Sequence, residues 1–163
     1  MITLLFSCND ALFIENISEK PSSGEVSLNN QFTFNNQFTF NNQTYNATLA
    51  FKSTTIDPNC RGTIGAFIII GETKNGLKPQ IAIFNVSSYS FKGTPGYLTN
   101  TSCGMEVQIA MLDANNKAQA YYYSVGEGTV EITANTYRLT NVKLRFNNES
   151  VANFSVSGGG NYQ

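Results

Sequence analysis

Three consecutive tyrosines, Tyr121, Tyr122 and Tyr123, are the side chains in this sequence whose type and spacing best suit recognition of another molecule. Successive side chains of a β-strand point to opposite faces, so Tyr121 and Tyr123 share one face and Tyr122 lies on the other. A tyrosine ring combines an apolar surface with a hydroxyl, which suits stacking on a sugar or contact with a protein. Together with Tyr97, these residues form the candidate ligand-binding site. Packing of the rings in the core is the alternative.

Acid, base and metal chemistry has few candidate residues. The sequence contains no histidine, which excludes Ser-His-Asp and Cys-His catalysis and histidine metal sites within this chain. The eleven acidic residues are spread out without a recognisable pair. We therefore predict no catalytic residues, no metal site and no cofactor. Two alternatives stay open: carboxylates that the fold brings together for glycoside hydrolysis, and calcium binding at Asp113, Asn115 and Asn116, residues that a hairpin turn also uses.

Two cysteines lie in similar local sequences. Cys60 in DPNCRGT and Cys103 in NTSCGME each stand beside turn-forming residues and just before an apolar run. This arrangement predicts a Cys60–Cys103 disulfide, with two free thiols as the alternative. Closing a loop of some forty residues would contribute about 3–4 kcal/mol by restricting the unfolded chain. A disulfide would also fit an oxidising compartment outside the cytoplasm.

The composition indicates a single domain with an uncharged polar surface. The chain has 163 residues, 13% of them charged, with a formal net charge of −1. No cluster of Lys and Arg offers a binding surface for phosphates, so nucleic acid is not an expected partner. Asn, Thr, Ser and Gly supply most of the polarity, and with the many aromatic residues they favour strands and turns.

The hydrophobic pattern predicts an all-β fold. From Val26 onward, apolar residues alternate with polar ones in short runs between turn residues. We predict an antiparallel β-sandwich of about 8–10 strands, with a flattened or lipocalin-like barrel as the alternative. The runs GAFIII and PQIAIFNV are apolar at both parities, which predicts strands buried on both faces. In TYRLTNVKLRF the apolar residues stand at odd positions up to Leu139 and at even positions from Val142 onward. This change predicts a β-bulge near Thr140 or Asn141.

One short repeat stands out near the start of the domain. The segment Asn29–Phe34, NNQFTF, is duplicated as Asn35–Phe40. Two copies are too few for a solenoid. The sequence FTFNNQTYNATLAFKS is typical of a strand, an Asn-Asn turn and a second strand.

The first ten residues, MITLLFSCND, pass from an apolar run into a cysteine. The letters LFSC place Leu5 three positions before Cys8 and the small Ser7 directly before it. They resemble the lipobox of bacterial lipoprotein signal peptides. This resemblance implies that residues 1–7 are the remnant of a signal peptide and that Cys8 is the lipidated residue. An ordinary first strand with a buried Cys8 thiol is the alternative.

The residues after Cys8 complete the predicted organisation. Residues 8–24 are polar and end in Pro-Ser-Ser-Gly, which predicts a tether. Residues 25–163 then form the single β domain. No apolar run approaches the roughly 20 residues of a transmembrane helix, so the expected contact with a membrane is the lipid anchor.

The order of these segments resembles small all-β lipoproteins of unknown function from Bacteroidetes-type bacteria. The resemblance rests on FTFNNQTYNATLAF near the start, alternating central strands, and GTVEITANTYRLTNVKLRF near the end. It implies an outer-membrane lipoprotein of the cell envelope, facing the periplasm or the outside, and it supplies no catalytic residues. The expected function is a non-catalytic binding or structural module for a glycan or a protein. A carbohydrate-active enzyme and a lipocalin-like carrier of a small apolar ligand are the alternatives.

Overall fold

The structure is a computed structural model that describes residues 36–53, 60, 63–96, 103–147 and 149–162. Within these residues it contains ten antiparallel β-strands and no helix. The all-β prediction is confirmed, and the strand number agrees with the predicted 8–10. The strands are β1 Gln37–Phe40, β2 Gln43–Ser53, β3 Gly65–Gly71, β4 Lys78–Val86, β5 Phe91–Gly93, β6 Glu106–Leu112, β7 Ala118–Ser124, β8 Thr129–Ile132, β9 Thr136–Phe146 and β10 Phe154–Asn161.

Eight of these strands close into a barrel. The order around the wall is β1, β2, β3, β4, β6, β7, β9 and β10, and β10 pairs again with β1. The predicted β-sandwich is therefore wrong, and the barrel alternative is the observed architecture. Both architectures require strands with one face in the core, so alternation predicts them equally. They differ in whether the first and last strands pair, a contact between residues far apart in sequence.

The core lies inside the barrel and forms one cluster of apolar side chains. The long strand β9 contributes Tyr137, Leu139, Val142 and Leu144, all at most 2% exposed. The pairing of β9 with β10 shifts register between Val156 and the next paired residue of β10, so that two β9 residues oppose one. This confirms the bulge predicted at Thr140 or Asn141. Because of the extra residue, both apolar parities of β9 face inward.

Asparagine makes the tight turns of the barrel. Every non-glycine residue with positive φ in the described part of the chain is an asparagine, which tolerates the left-handed conformation better than most residues. Asn41 and Asn42, with φ of 48° and 59°, connect β1 to β2, and Asn75 with Gly76 connects β3 to β4. Positive φ at both central residues is the requirement of a type I′ hairpin turn. The predicted Asn-Asn hairpin is confirmed.

The connections define two different ends of the barrel. The hairpin end carries the four short connections, residues 41–42, 72–77, 113–117 and 147–153. The opposite end, here called the disulfide end, carries the longer connections after β2, β4 and β7. There Cys60 and Cys103 form a pair at disulfide distance, as predicted.

Two further strands extend the sheet at the disulfide end. The last three residues of β9, Leu144–Phe146, pair with β7, whereas Tyr137–Thr140 pair with β8. Strand β8 in turn pairs with β5. Val130 and Ile132 of β8 are at most 1% exposed and join the core cluster. The β5–β8 pair therefore packs its apolar side against the interior of the barrel.

The central strands are buried on both faces, as their continuous apolar runs predict. Phe67 and Ile69 of β3 point into the core cluster, and Ile68 between them is also fully buried. All seven residues of β3 and all seven of β6 are buried. The predicted boundaries at residues 7 and 24, and the first copy of the NNQFTF repeat, lie outside the described residues.

Closure of the barrel depends on glycine in β10. A Cβ atom added to Gly158 would lie 2.4 Å from the carbonyl oxygen of Gln37 and 2.5 Å from Cα of Phe38. These are backbone atoms of β1, so a side chain at this position would push the two closing strands apart. The Ser-Gly-Gly-Gly segment of β10 thus permits the close approach of β1.

We expect Gly158→Ala to lower the free energy of unfolding by about 1–3 kcal/mol, because the added methyl group overpacks the seam between β1 and β10. Gly96→Ala is the matched control, since a Cβ there meets only the Met105 carbonyl oxygen at 3.5 Å. Urea denaturation measures both variants. Equal stability of the two variants would contradict this account of closure.

Candidate functional site

The three consecutive tyrosines of β7 divide between the two faces of the barrel wall, as strand alternation predicts. Tyr122 packs against the core cluster, whereas Tyr121 and Tyr123 stack with each other, with ring centroids 6.3 Å apart. All three side chains are half-buried. Tyr97, the fourth predicted binding residue, lies outside the described residues. The structure therefore separates Tyr122 from its two neighbours.

Tyr122 belongs to an aromatic patch at the hairpin end, which consists of Phe40, Tyr122, Phe146 and Phe154. Its ring centroid lies 4.8 Å from those of Phe40 and Phe154, in edge-to-face geometry, and 5.3 Å from that of Phe146. Phe40 is on β1 and Tyr122 is on β7, with β9 and β10 between them in the wall. The ring contacts therefore cross the bore of the barrel at this end.

The aromatic patch is only partly covered. Phe40 is buried, but the other three rings are half-buried. Val151, in the loop between Phe146 and Phe154, is 58% exposed, so this loop presents a large apolar side chain to solvent. Burial raises the pKa of the Tyr122 hydroxyl, and the Glu149 carboxylate raises it further. The hydroxyl therefore stays protonated at neutral pH, where it is able to donate a hydrogen bond.

An arginine connects the outer tyrosines with the loop beside the aromatic patch. The Arg145 guanidinium lies over the Tyr123 ring, 5.5 Å from its centroid. Arg145 Nη1 also donates hydrogen bonds to the carbonyl oxygens of Asn147 and Glu149, at 2.8 and 3.3 Å. This side chain thus holds the loop that carries Val151 against the outer wall.

Two carboxylates in the described residues, those of Asp113 and Glu72, have clear structural partners. Asp113 accepts hydrogen bonds from the backbone amides of Asn115 and Lys117, both at 2.9 Å, so it stabilises the hairpin turn that uses the same residues as the calcium alternative. Glu72 accepts from the Asn46 amide and pairs with Lys74 at 3.1 Å.

These contacts keep both carboxylates ionised. The Lys117 amide is the main cause that lowers the pKa of Asp113, and the Asn46 amide is the main cause that lowers the pKa of Glu72. A glycosidase acid needs the opposite shift. Neither Asp113 nor Glu72 is therefore suited to be the proton donor of the enzyme alternative.

Tyr137 places one polar group inside the apolar core. Its side chain is fully buried, and its hydroxyl has no hydrogen-bond partner among the described residues. Burial raises the pKa of this hydroxyl from about 10 to about 12. An unpartnered buried hydroxyl costs stability unless a water or another small molecule bonds to it. The sequence pattern identified Tyr137 only as a core residue.

Two kinds of feature are absent from the described part of the chain: a metal-ligating cluster and a membrane-spanning helix. No group of three or more His, Cys, Asp or Glu side chains there could hold a metal ion. No helix within the same residues is long and apolar enough to cross a membrane. Cys8, the predicted lipidation site, lies outside the described residues.

Most of the aromatic patch was not predicted from the sequence. Tyr122 was a predicted binding residue, but Phe40, Phe146 and Phe154 were not, and neither was the nearby loop residue Val151. The available signal was that two asparagines, which favour turns, directly follow both Phe40 and Phe146. Hairpin turns of an up-and-down barrel gather at the same end.

Comparison with known proteins adds no relative. No family model, no curated protein and no solved structure matches this chain.

We expect Tyr137→Phe to raise the free energy of unfolding at pH 7 by about 1 kcal/mol, because it removes an unsatisfied buried hydroxyl. The raised pKa also means that the wild-type barrel loses stability as the pH rises from about 10 through about 12. The Tyr137→Phe variant does not show this part of the loss of stability at alkaline pH. Chemical denaturation across this pH range measures both effects. A lower stability of the variant at pH 7 would show instead that the hydroxyl is bonded inside the barrel.

Proposed function

We propose that this protein is a non-catalytic binding module of a bacterial cell envelope, and that the aromatic patch at the hairpin end contacts its ligand. The observation that carries this proposal is the set of three half-buried rings, Tyr122, Phe146 and Phe154, together with the exposed Val151 in the loop that joins β9 to β10. An apolar surface that remains accessible at one end of a closed barrel is suited to recognition of another molecule.

A glycan is the ligand that the surroundings of the patch favour. The exposed neighbours Asn147, Ser150 and Asn153 are uncharged hydrogen-bonding residues, and Tyr122 offers a protonated hydroxyl. Aromatic rings with a few polar groups suit a sugar, which has an apolar ring face and peripheral hydroxyls. The rings also lose little conformational entropy on binding, because mutual packing already holds them. A protein partner is the outcome expected if no glycan binds.

The position at a membrane is a separate part of the proposal. It is supported by the resemblance of LFSC to a lipobox, with Cys8 as the lipidated residue and residues 8–24 as the tether. The Cys60–Cys103 pair adds support, because stable disulfides belong to oxidising compartments such as the periplasm or cell surface. The protein would then be an outer-membrane lipoprotein that presents its barrel on a tether.

The carrier alternative has one specific observation in its favour. The closed eight-stranded barrel and the unpartnered Tyr137 hydroxyl would suit a small guest inside the bore. Against it stands the continuous apolar cluster that runs through the interior, with Ile81, Ile83 and Ile109 fully buried. We therefore place the ligand contact at the end of the barrel.

Two substitutions test the ligand contact. We expect Tyr122→Leu to weaken glycan binding at least tenfold on a glycan array and in titration against its best ligand, because tyrosines in the centre of a contact surface often carry much of the binding energy. Val151→Ser should weaken binding by a smaller factor, because it removes apolar contact area at the exposed loop. Val151→Ser is the cleaner variant, since the exposed valine contributes little to the core.

Tyr89→Ser serves as the control. This tyrosine is 43% exposed but lies in the connection after β4, at the disulfide end. Its substitution should leave the array profile unchanged. An unchanged profile for Tyr122→Leu and Val151→Ser, with thermal midpoints showing that both variants are folded, would rule out the patch as the binding site.

Intact mass spectrometry tests the lipid anchor. We expect protein recovered from the membrane fraction of a lipoprotein-processing host to begin at Cys8 and to carry an acyl-glyceryl group. Cys8→Ser should abolish that mass and release the protein from the membrane. A chain that retains residues 1–7 without modification would overturn the anchor, while leaving the ligand contact to be judged on its own test.

A further inference from the structure

Strand β1 has an identical copy six residues upstream. The closing strand and the residues before it, Asn35–Phe40, repeat Asn29–Phe34 letter for letter. In the structure, Gln37–Phe40 fills the groove between β2 and β10 and so closes the barrel. Every side chain by which this groove recognises β1 therefore has a counterpart in the first copy.

The groove recognises two phenylalanines. Phe38 is 1% exposed and stacks on Tyr45, with ring centroids 5.4 Å apart. Its ring also covers Gly71, where a Cβ atom would meet it at 2.7 Å. Phe40 is 3% exposed and packs edge-to-face on Tyr122. The groove thus selects a strand with phenylalanine at alternate positions, and Phe32 and Phe34 have this spacing.

The residues that make polar contacts along β1 are also repeated in the sequence. Asn36 Oδ1 accepts a hydrogen bond from the Asn161 amide at 2.8 Å, and its carbonyl oxygen accepts one from the Ala47 amide at 2.6 Å. Gln37 Nε2 donates to Asn46 Oδ1 at 2.7 Å. Asn30 and Gln31 occupy the same positions in the first copy.

We infer that the groove between β2 and β10 is a strand-binding site that accepts either Asn29–Phe34 or Asn35–Phe40, and that the two copies exchange in it. The offset of six residues is even, so inward and outward side chains keep their faces when one copy replaces the other. A shift by an odd number would turn the phenylalanines to solvent.

Exchange moves six residues from the segment that precedes the barrel into the connection between the closing strand and β2. With the first copy in the groove, the segment before the barrel becomes six residues shorter. The β1–β2 connection grows from two residues, 41–42, to eight, 35–42. Loop-closure entropy alone makes this longer connection about eightfold less favourable, and loss of the Asn41-Asn42 turn adds to this. The second copy therefore predominates, and the first copy occupies the groove in a minor state.

Disulfide trapping detects the minor state. Thr39 and Ser157 are paired across β1 and β10, so Thr39→Cys with Ser157→Cys reports the second copy in the groove. Thr33→Cys with Ser157→Cys reports the first copy. Both pairs are made in a Cys8→Ser chain. We expect both to form disulfides within one molecule under mild oxidation, with the Thr33 pair at least about eightfold slower.

Matched substitutions separate strand exchange from chance collision. Phe32→Ser with Phe34→Ser should abolish the Thr33 cross-link, and Phe38→Ser with Phe40→Ser should accelerate it. The exchange would be overturned if no Thr33 cross-link formed, or if the rate of its formation did not change with these substitutions. Cross-links found only between two molecules would also overturn it, because they would assign the groove to a strand from a second copy of the protein.

Thermal unfolding provides an independent test. The variant with Phe38→Ser and Phe40→Ser should still unfold cooperatively, because the first copy replaces β1. Adding Phe32→Ser and Phe34→Ser should remove that rescue and lower the midpoint further. If the two-residue variant is already as unstable as the four-residue variant, the first copy does not enter the groove and the inference fails.

Discussion

Pairing of β1 with β10 is the constraint on which the rest of this structure depends. Closure gives the eight wall strands a partner on both sides and places Phe38 and Phe40 in the interior. It is possible because Gly158 lets the backbones of β10 and β1 approach more closely than any side chain would permit. An open sheet of the same strands would leave two edges unpaired and the interior exposed.

Closure also gives the two ends of the barrel different properties. The hairpin end is built from short connections in which asparagine adopts positive φ, and these bring Phe40, Tyr122, Phe146 and Phe154 together from four strands. The disulfide end has longer connections, two of which are joined by the Cys60–Cys103 pair. Strand β8 packs against the core cluster at this end. Conformational restraint is therefore supplied by turn geometry at one end and by a covalent bond at the other. Phe40 links closure to the aromatic patch, since it belongs to both β1 and the patch.

Local pattern predicted many individual elements correctly. The parity change in β9 predicted the bulge at Thr140 and Asn141, and two turn-flanked cysteines predicted the Cys60–Cys103 pair. The alternation of Tyr121, Tyr122 and Tyr123 was also correct. The aromatic patch was not predicted beyond Tyr122, because its members lie on strands separated by up to 114 residues. Their proximity follows from the order of strands around the wall, which no local pattern specifies.

The sequence by itself determined the all-β class, the hairpin turns and the alternation of buried and exposed residues, because these follow from the conformational preferences of neighbouring residues. Only the tertiary structure decided that the sheet closes into a barrel instead of splitting into a sandwich. It also decided that Tyr137 places a hydroxyl in the apolar core and that Tyr122 joins a ring cluster at one end. These features depend on which distant strands pair, and alternation satisfies a barrel and a sandwich equally well.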